Sequence, residues 1–156
     1  MNTIESKKDV VTPQLIFLDK DFNSQSEIID FIVDEAVENG RVSNPSQFYQ
    51  AVIKREEEVS TAIGYSIAIP HGKTEAVQTP FISFVRLKNP IQWNKDDEEK
   101  IQLIFLIGVP EESEGKLHLR FISQLSRKLL DDEFRKQLLT LPDVNKIFEQ
   151  LSSIQL

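Results

Sequence analysis

The sequence predicts a single α/β or α+β domain with a central sheet, and three observations lead there. Strand-like apolar runs and helix-period segments are intermixed along the chain rather than gathered into separate halves. The runs Phe81–Leu87 and Ile101–Val109 are rich in branched and aromatic residues, the composition of buried strands. The length of 156 residues, with 40% hydrophobic and 28% charged side chains, suits one domain with a real core.

The elements follow in order. Residues 1–12 read as a flexible lead-in, so the domain is expected over 13–156. Leu15–Leu18 is a short apolar run of strand type. Ser26–Asn39 places Ile28, Phe31, Ile32 and Ala36 on one helical face, with Gly40 as the stop. Asn44-Pro45 offers a cap and a proline for the first helical position, opening a helix to about Val59. Ile67–Ile69 reads as a buried strand running into Pro70-His71. Between the two clear strands, Asn94–Lys100 is a polar loop. Gly115–Leu130 carries Leu117, Phe121, Ile122, Leu125 and Leu129 at core spacing, which predicts a helix. Two more helices are expected at Asp132–Leu139 and Asp143–Ser152.

Composition excludes several functions. With 18 basic and 25 acidic residues the formal net charge is −7, and no basic run stands out, so nucleic acid is not an expected partner. The absence of cysteine removes disulfides, thiolate nucleophiles and cysteine metal sites. Apolar runs such as Leu103–Val109 are strand-length, so no membrane insertion is expected. Met1–Lys8 is polar with no apolar segment after it, so no secretory signal is readable and a cytoplasmic location is expected.

The chain has only two histidines, His71 and His118. Histidine changes charge near neutral pH, and its neutral ring nitrogen is a good nucleophile. His71 follows a buried strand within Ile67-Ala68-Ile69-Pro70-His71-Gly72, on what reads as a loop. There Pro70 fixes the preceding backbone, and Gly72 leaves room for another backbone or a phosphate. The same residues also read as a plain turn in which the histidine caps a strand, and local chemistry leaves both readings open. His118 lies near a helix start, where the helix dipole favours anions and disfavours imidazolium. It reads either as a neutral donor to a phosphoryl group or as a half-buried core residue. Arg55 ends a helix in Arg55-Glu56-Glu57-Glu58. Its guanidinium suits phosphate oxygens, yet a solvated charge run at a helix end also accounts for it.

Some rivals fail. Gly72-Lys73-Thr74 resembles the end of a P-loop, but the glycine required five positions before Gly72 is Ile67. Two histidines with neither HExxH nor cysteines give no zinc pattern, and no GxSxG elbow is present.

Taken together, Arg55-Glu56-Glu57-Glu58-Val59-Ser60-Thr61-Ala62-Ile63-Gly64-Tyr65-Ser66-Ile67-Ala68-Ile69-Pro70-His71-Gly72 resembles the signature of enzyme IIA domains. The class it resembles is the fructose–mannitol class of the bacterial sugar phosphotransferase system. Glu56, Ile63, Gly64, Ile67, Ala68, Pro70, His71 and Gly72 fit the pattern. Pro90-Ile91-Gln92-Trp93 and Leu103-Ile104-Phe105-Leu106-Ile107 are similar to the family's middle segment, and His118–Leu125 to its second histidine helix. The likeness runs from about residue 14 to 150. It implies an α/β fold with a mixed central β-sheet flanked by helices on both faces.

The resemblance also implies a phosphotransferase role in sugar uptake. His71 would accept a phosphoryl group from the carrier HPr, with Arg55 and His118 holding its oxygens. The acceptor would be an enzyme IIB, normally bearing a cysteine, which this chain lacks and which must then lie on a separate IIB unit. No cofactor and no metal are implied. The competing expectation is a regulatory module of the same fold, whose His71 phosphorylation state controls protein partners.

Overall fold

Every strand and helix anticipated from the sequence is present in the computed structural model of the chain, which describes residues 10–112 and 116–154, and two short strands join them. In chain order the elements are β1 (Val11–Lys20), α1 (Gln25–Glu38), α2 (Pro45–Glu58), β2 (Ala62–Gly64), β3 (Ile67–Ala68), β4 (His71–Thr74), β5 (Phe81–Ile91), β6 (Ile101–Pro110), α3 (Leu117–Lys128), α4 (Asp132–Thr140) and α5 (Val144–Ser152). Gly115 and the side chain of Leu117, both expected in the α3 region, lie outside the described residues.

Helix starts coincide with side chains that cap them. Ser24 accepts from the Glu27 N–H at 3.2 Å and Asn44 from the Gln47 N–H at 3.1 Å, each satisfying a donor that the first turn leaves free. Asp131 and Asp143 do the same for α4 and α5. Asp143 is therefore the cap rather than the first residue of its helix. Helix α3 differs: Lys116 precedes it and supplies no side-chain cap.

The sheet runs β1-β5-β6-β3-β2, with β4 continuing beside β6 after β3. It is mixed: β1 is parallel to β5, β5 antiparallel to β6, and both β3 and β4 parallel to β6. Strand β1 begins at Val11, opposite Ile82, so Val11 and Thr12 belong to the sheet rather than to a lead-in. Its Pro13 is tolerated because β1 is an edge strand.

Side chains alternate across β5 and β6 and divide the core in two. Phe81, Val85, Ile104 and Leu106 pack with Ile28, Ile32, Phe48 and Val52 from α1 and α2. Ile82, Phe84, Phe105 and Ile107 pack with Phe121, Leu125, Phe134, Leu138 and Ile147 from α3, α4 and α5. The fold is the expected α/β arrangement, a mixed sheet with helices on both faces. None of the described helices is long and apolar enough to cross a membrane.

Candidate functional site

Strand β4 presents His71. Pro70 has no N–H to offer a sheet, and at Ile69-Pro70 the pairing along β6 is interrupted between β3 and β4. The Pro70 carbonyl still accepts from the Ile107 N–H at 3.0 Å, and pairing resumes with His71 opposite Ile107 and Gly72 opposite Gly108. His71 is thus the first residue of a short strand, not a loop residue, because β6 supplies a partner that the local sequence does not reveal.

Gly72 turns toward α2. A Cβ there would stand 2.9 Å from Val52 Cγ2 and 3.2 Å from Phe48 Cε1. The close approach that its missing side chain permits is therefore that of helix α2. By alternation, His71 and Lys73 face the other way, where α3 begins. The rings of His71 and His118 have centroids 5.0 Å apart.

Arg55 reaches the same place from the last turn of α2, and its Nη1 donates to the Val59 carbonyl at 3.0 Å. All three residues read from the sequence as site candidates line one open cleft of about 550 Å³, together with Lys54, Lys73 and Gln47. Gln47 donates from its amide to Thr74 Oγ1 at 3.0 Å, tying α2 to β4.

The His71 ring has a defined tautomer. Its Nδ1 lies 3.0 Å from the Ile69 carbonyl. A carbonyl only accepts, so Nδ1 carries the proton and Nε2 the lone pair. Burial holds the His71 pKa below its ordinary value of 6.5; the Ile69 carbonyl opposes this, the Arg55 charge adds to it, and Glu56 opposes it. Burial likewise lowers the His118 pKa, reinforced by His71, Lys73 and Arg55. Both rings are therefore neutral at pH 7. His118 Nδ1 is buried with no hydrogen-bond partner among the described residues, which costs the fold some stability.

Lys73 enters the cleft although the sequence offers it only inside an incomplete P-loop. The signal that finds it is its i, i+2 relation to His71, which acquires meaning once His71–Thr74 is a strand. Among the described residues no group of three or more His, Asp or Glu is placed to hold a metal ion.

Chemically, the arrangement offers a neutral nucleophilic nitrogen, an arginine and a lysine, and a second imidazole ring lining the same cleft. It suits a small dianion attached to His71. The family model for "Phosphoenolpyruvate-dependent sugar phosphotransferase system, EIIA 2" matches residues 9–154. The fructose-specific EIIA component of Haloferax volcanii is 34% identical over 145 residues, covering 92% of this chain and 94% of that protein. Multiphosphoryl transfer protein 1 of Escherichia coli (strain K12) is 32% identical over 149 residues, 96% of this chain; the chain spans only 18% of that protein's length. In the solved complex of enzyme IIAMTL and phosphorylated enzyme IIBMTL from Escherichia coli, the similar chain has a TM-score of 0.77 at 25% identity, covering 92% of this chain and 97% of that one. With the family model matched from end to end of the described fold, the chain belongs to the EIIA 2 family of the phosphoenolpyruvate-dependent sugar phosphotransferase system.

Proposed function

We propose that this chain is a cytoplasmic phosphocarrier of sugar uptake, a phosphotransferase component that takes a phosphoryl group from phospho-HPr onto His71 Nε2 and passes it to a cysteine of an enzyme IIB. The observation that carries the reading is the 3.0 Å bond from His71 Nδ1–H to the Ile69 carbonyl, which leaves Nε2 as the free nucleophile in a cleft shared with Arg55 and His118. The fructose-specific EIIA relative and the similar chain seen with phosphorylated enzyme IIBMTL support a phosphotransferase component whose partner is an enzyme IIB.

The step balances without an added base. Nε2 attacks phosphorus in line as the N–P bond of the donor histidine breaks, and the donor ring departs neutral. His71 keeps its Nδ1 proton, so phosphorylation turns the ring into a cation, whose N–H the Ile69 carbonyl already accepts. Arg55 supplies positive charge to the equatorial oxygens. His118, neutral because burial lowers its pKa, donates a hydrogen bond rather than a second fixed charge. The start of α3, to which Lys116 gives no side-chain cap, adds backbone dipoles of the right sign. Onward transfer reverses the bond changes, with a thiolate as the attacking group.

The test is phosphoryl transfer from phosphoenolpyruvate through enzyme I and HPr, read by intact mass on wild type and His71→Ala. Wild type should gain one phosphoryl group and the variant none. No gain in a folded wild type would overturn the reading. Labelling of His71 with no onward transfer to any cysteine-bearing IIB would shift it to the regulatory module.

A further inference from the structure

Glu56 carries a carboxylate where the fold has most reason to exclude one. It is 4% exposed, on the last turn of α2, and next to Arg55 in the chain. Its oxygens accept from the Thr61 N–H at 2.8 Å, the Thr61 hydroxyl at 2.7 Å, the Trp93 indole N–H at 3.0 Å and the Asn94 amide at 3.4 Å. A buried charge persists only with such donors around it.

The donors identify what the carboxylate fixes. Two of them belong to Thr61, which closes the turn between α2 and β2. The others belong to the β5–β6 connection, which also grips the turn from outside: Ser60 Oγ donates to Asp97 at 3.0 Å. Inside that turn lies the Val59 carbonyl, to which Arg55 Nη1 donates at 3.0 Å. Successive helix residues point about 100° apart, so α2 sends Glu56 inward and Arg55 into the cleft. The guanidinium is then held at two points, its own helix and a carbonyl whose place Glu56 sets. One bond to Val59 leaves most of its five N–H donors for an anion.

We infer that Glu56 is a positioning residue for phosphoryl transfer: by anchoring the Val59–Thr61 turn it holds the Arg55 guanidinium in the cleft beside His71 and His118. The inference rests on the reading of Arg55 as the cation at the phosphoryl site. Glu56 touches no reacting atom. It also lies near enough for its charge to weigh on His71, so the test must separate charge from anchorage.

Thr61→Val does so, because it cuts one anchoring bond and leaves the Glu56 charge in place; Glu56→Gln is the companion variant. Each is made in wild-type and Arg55→Ala backgrounds, with folding checked by circular dichroism. One readout is the rate of His71 phosphorylation by phospho-HPr. The other, independent of transfer, is ¹⁵N relaxation at Arg55 Nε. Thr61→Val should slow phosphorylation about tenfold or more, raise the mobility of Arg55 Nε, and have no further effect once Arg55 is alanine. Equal slowing in both backgrounds, or an unchanged Arg55 Nε signal, would overturn the inference. If Thr61→Val does not fold, the same outcomes are read from Glu56→Gln. If wild type accepts no phosphoryl group, the functional reading fails, and the relaxation data still decide whether Glu56 positions Arg55.

Discussion

The rings of His71 and His118 lie 5.0 Å apart between centroids and 30° from parallel, although α3 and β4 are separated in sequence by the whole of β5 and β6. Two imidazolium ions at that distance, partly desolvated, repel each other. Burial keeps both rings neutral, with the neighbouring His71 adding to it at His118, and their behaviour with pH follows.

Folding stability should fall as the pH drops below 6.5. Both histidines have folded-state pKa values under that ordinary value, chiefly through burial. Below 6.5 the unfolded chain binds protons that the folded chain still refuses, so stability rises with pH in this window. It is fully present above 6.5 and lost as the pH falls through the folded-state values. Urea unfolding on either side of 6.5, above the carboxylate range, measures it. The double variant His71→Gln/His118→Gln should show a flatter dependence; an unchanged slope would assign the effect to other groups.

Arg55→Ala should slow phosphorylation of His71 on the order of a hundredfold or more, the loss typical when one charge-stabilising donor is removed. Its stability should change by no more than about 0.5 kcal/mol, because the bond to Val59 is exposed. Quenched-flow transfer from phospho-HPr and thermal unfolding check the two parts. A variant that unfolds would place Arg55 among the structural residues.

His118→Ala should also slow transfer about a hundredfold while His71 remains the residue labelled. Its cost in stability should stay under about 1 kcal/mol, since the substitution removes a buried nitrogen that has no partner among the described residues. Label retained on His71 in peptide mass analysis, with a near-native unfolding midpoint, is the expected result. A large loss of stability would return His118 to the core.

Two glycines should differ in a predictable order. A Cβ on Gly108 would press into the ring of Phe81, 2.7 Å from both Cδ1 and Cζ, and Phe81 is fully buried opposite it in the sheet. Gly108→Ala should cost about 3 kcal/mol or more, at the upper end of overpacking effects. At Gly72 the obstacle is Val52 Cγ2 at 2.9 Å, a milder overlap than the one at Gly108, so Gly72→Ala should cost about 1–2 kcal/mol. It should also slow transfer, because β4 must move away from α2 and carry His71 with it. Equilibrium urea unfolding gives both values, and the reverse order would overturn the packing argument.

Legibility in the sequence varied with how local the cause was. The cap at Asn44-Pro45 and the apolar period of α1 are written within a few residues, and both helices form where expected. Strand β2 was not legible. It exists because Tyr65 and Ser66 both adopt positive φ, 57° and 62°, closing a tight hairpin that the pair Tyr-Ser does not advertise. Nor was the length of β5 beyond Leu87: Lys88, Asn89 and Pro90 look like loop, but Ile91 pairs with Ile101 and extends the strand.

The site divides the same way. His71, Arg55 and His118 are each ambiguous alone, and the sequence singled them out jointly through their resemblance to a known signature. Glu56 stood in that signature without a role, because its donors at Thr61, Trp93 and Asn94 are assembled only by folding. The sequence by itself determined where helices start, which strands are buried and which three residues to watch, since capping, periodicity and motif are short-range properties of the chain. The tertiary structure alone decided that His71 opens a strand, that its Nδ1 rather than its Nε2 is occupied, and by which elements the expected arginine and second histidine reach it in one cleft. Those facts depend on pairing with β6 and on the packing of α2 and α3 against opposite faces of the sheet, contacts between segments whose local sequences carry no record of one another.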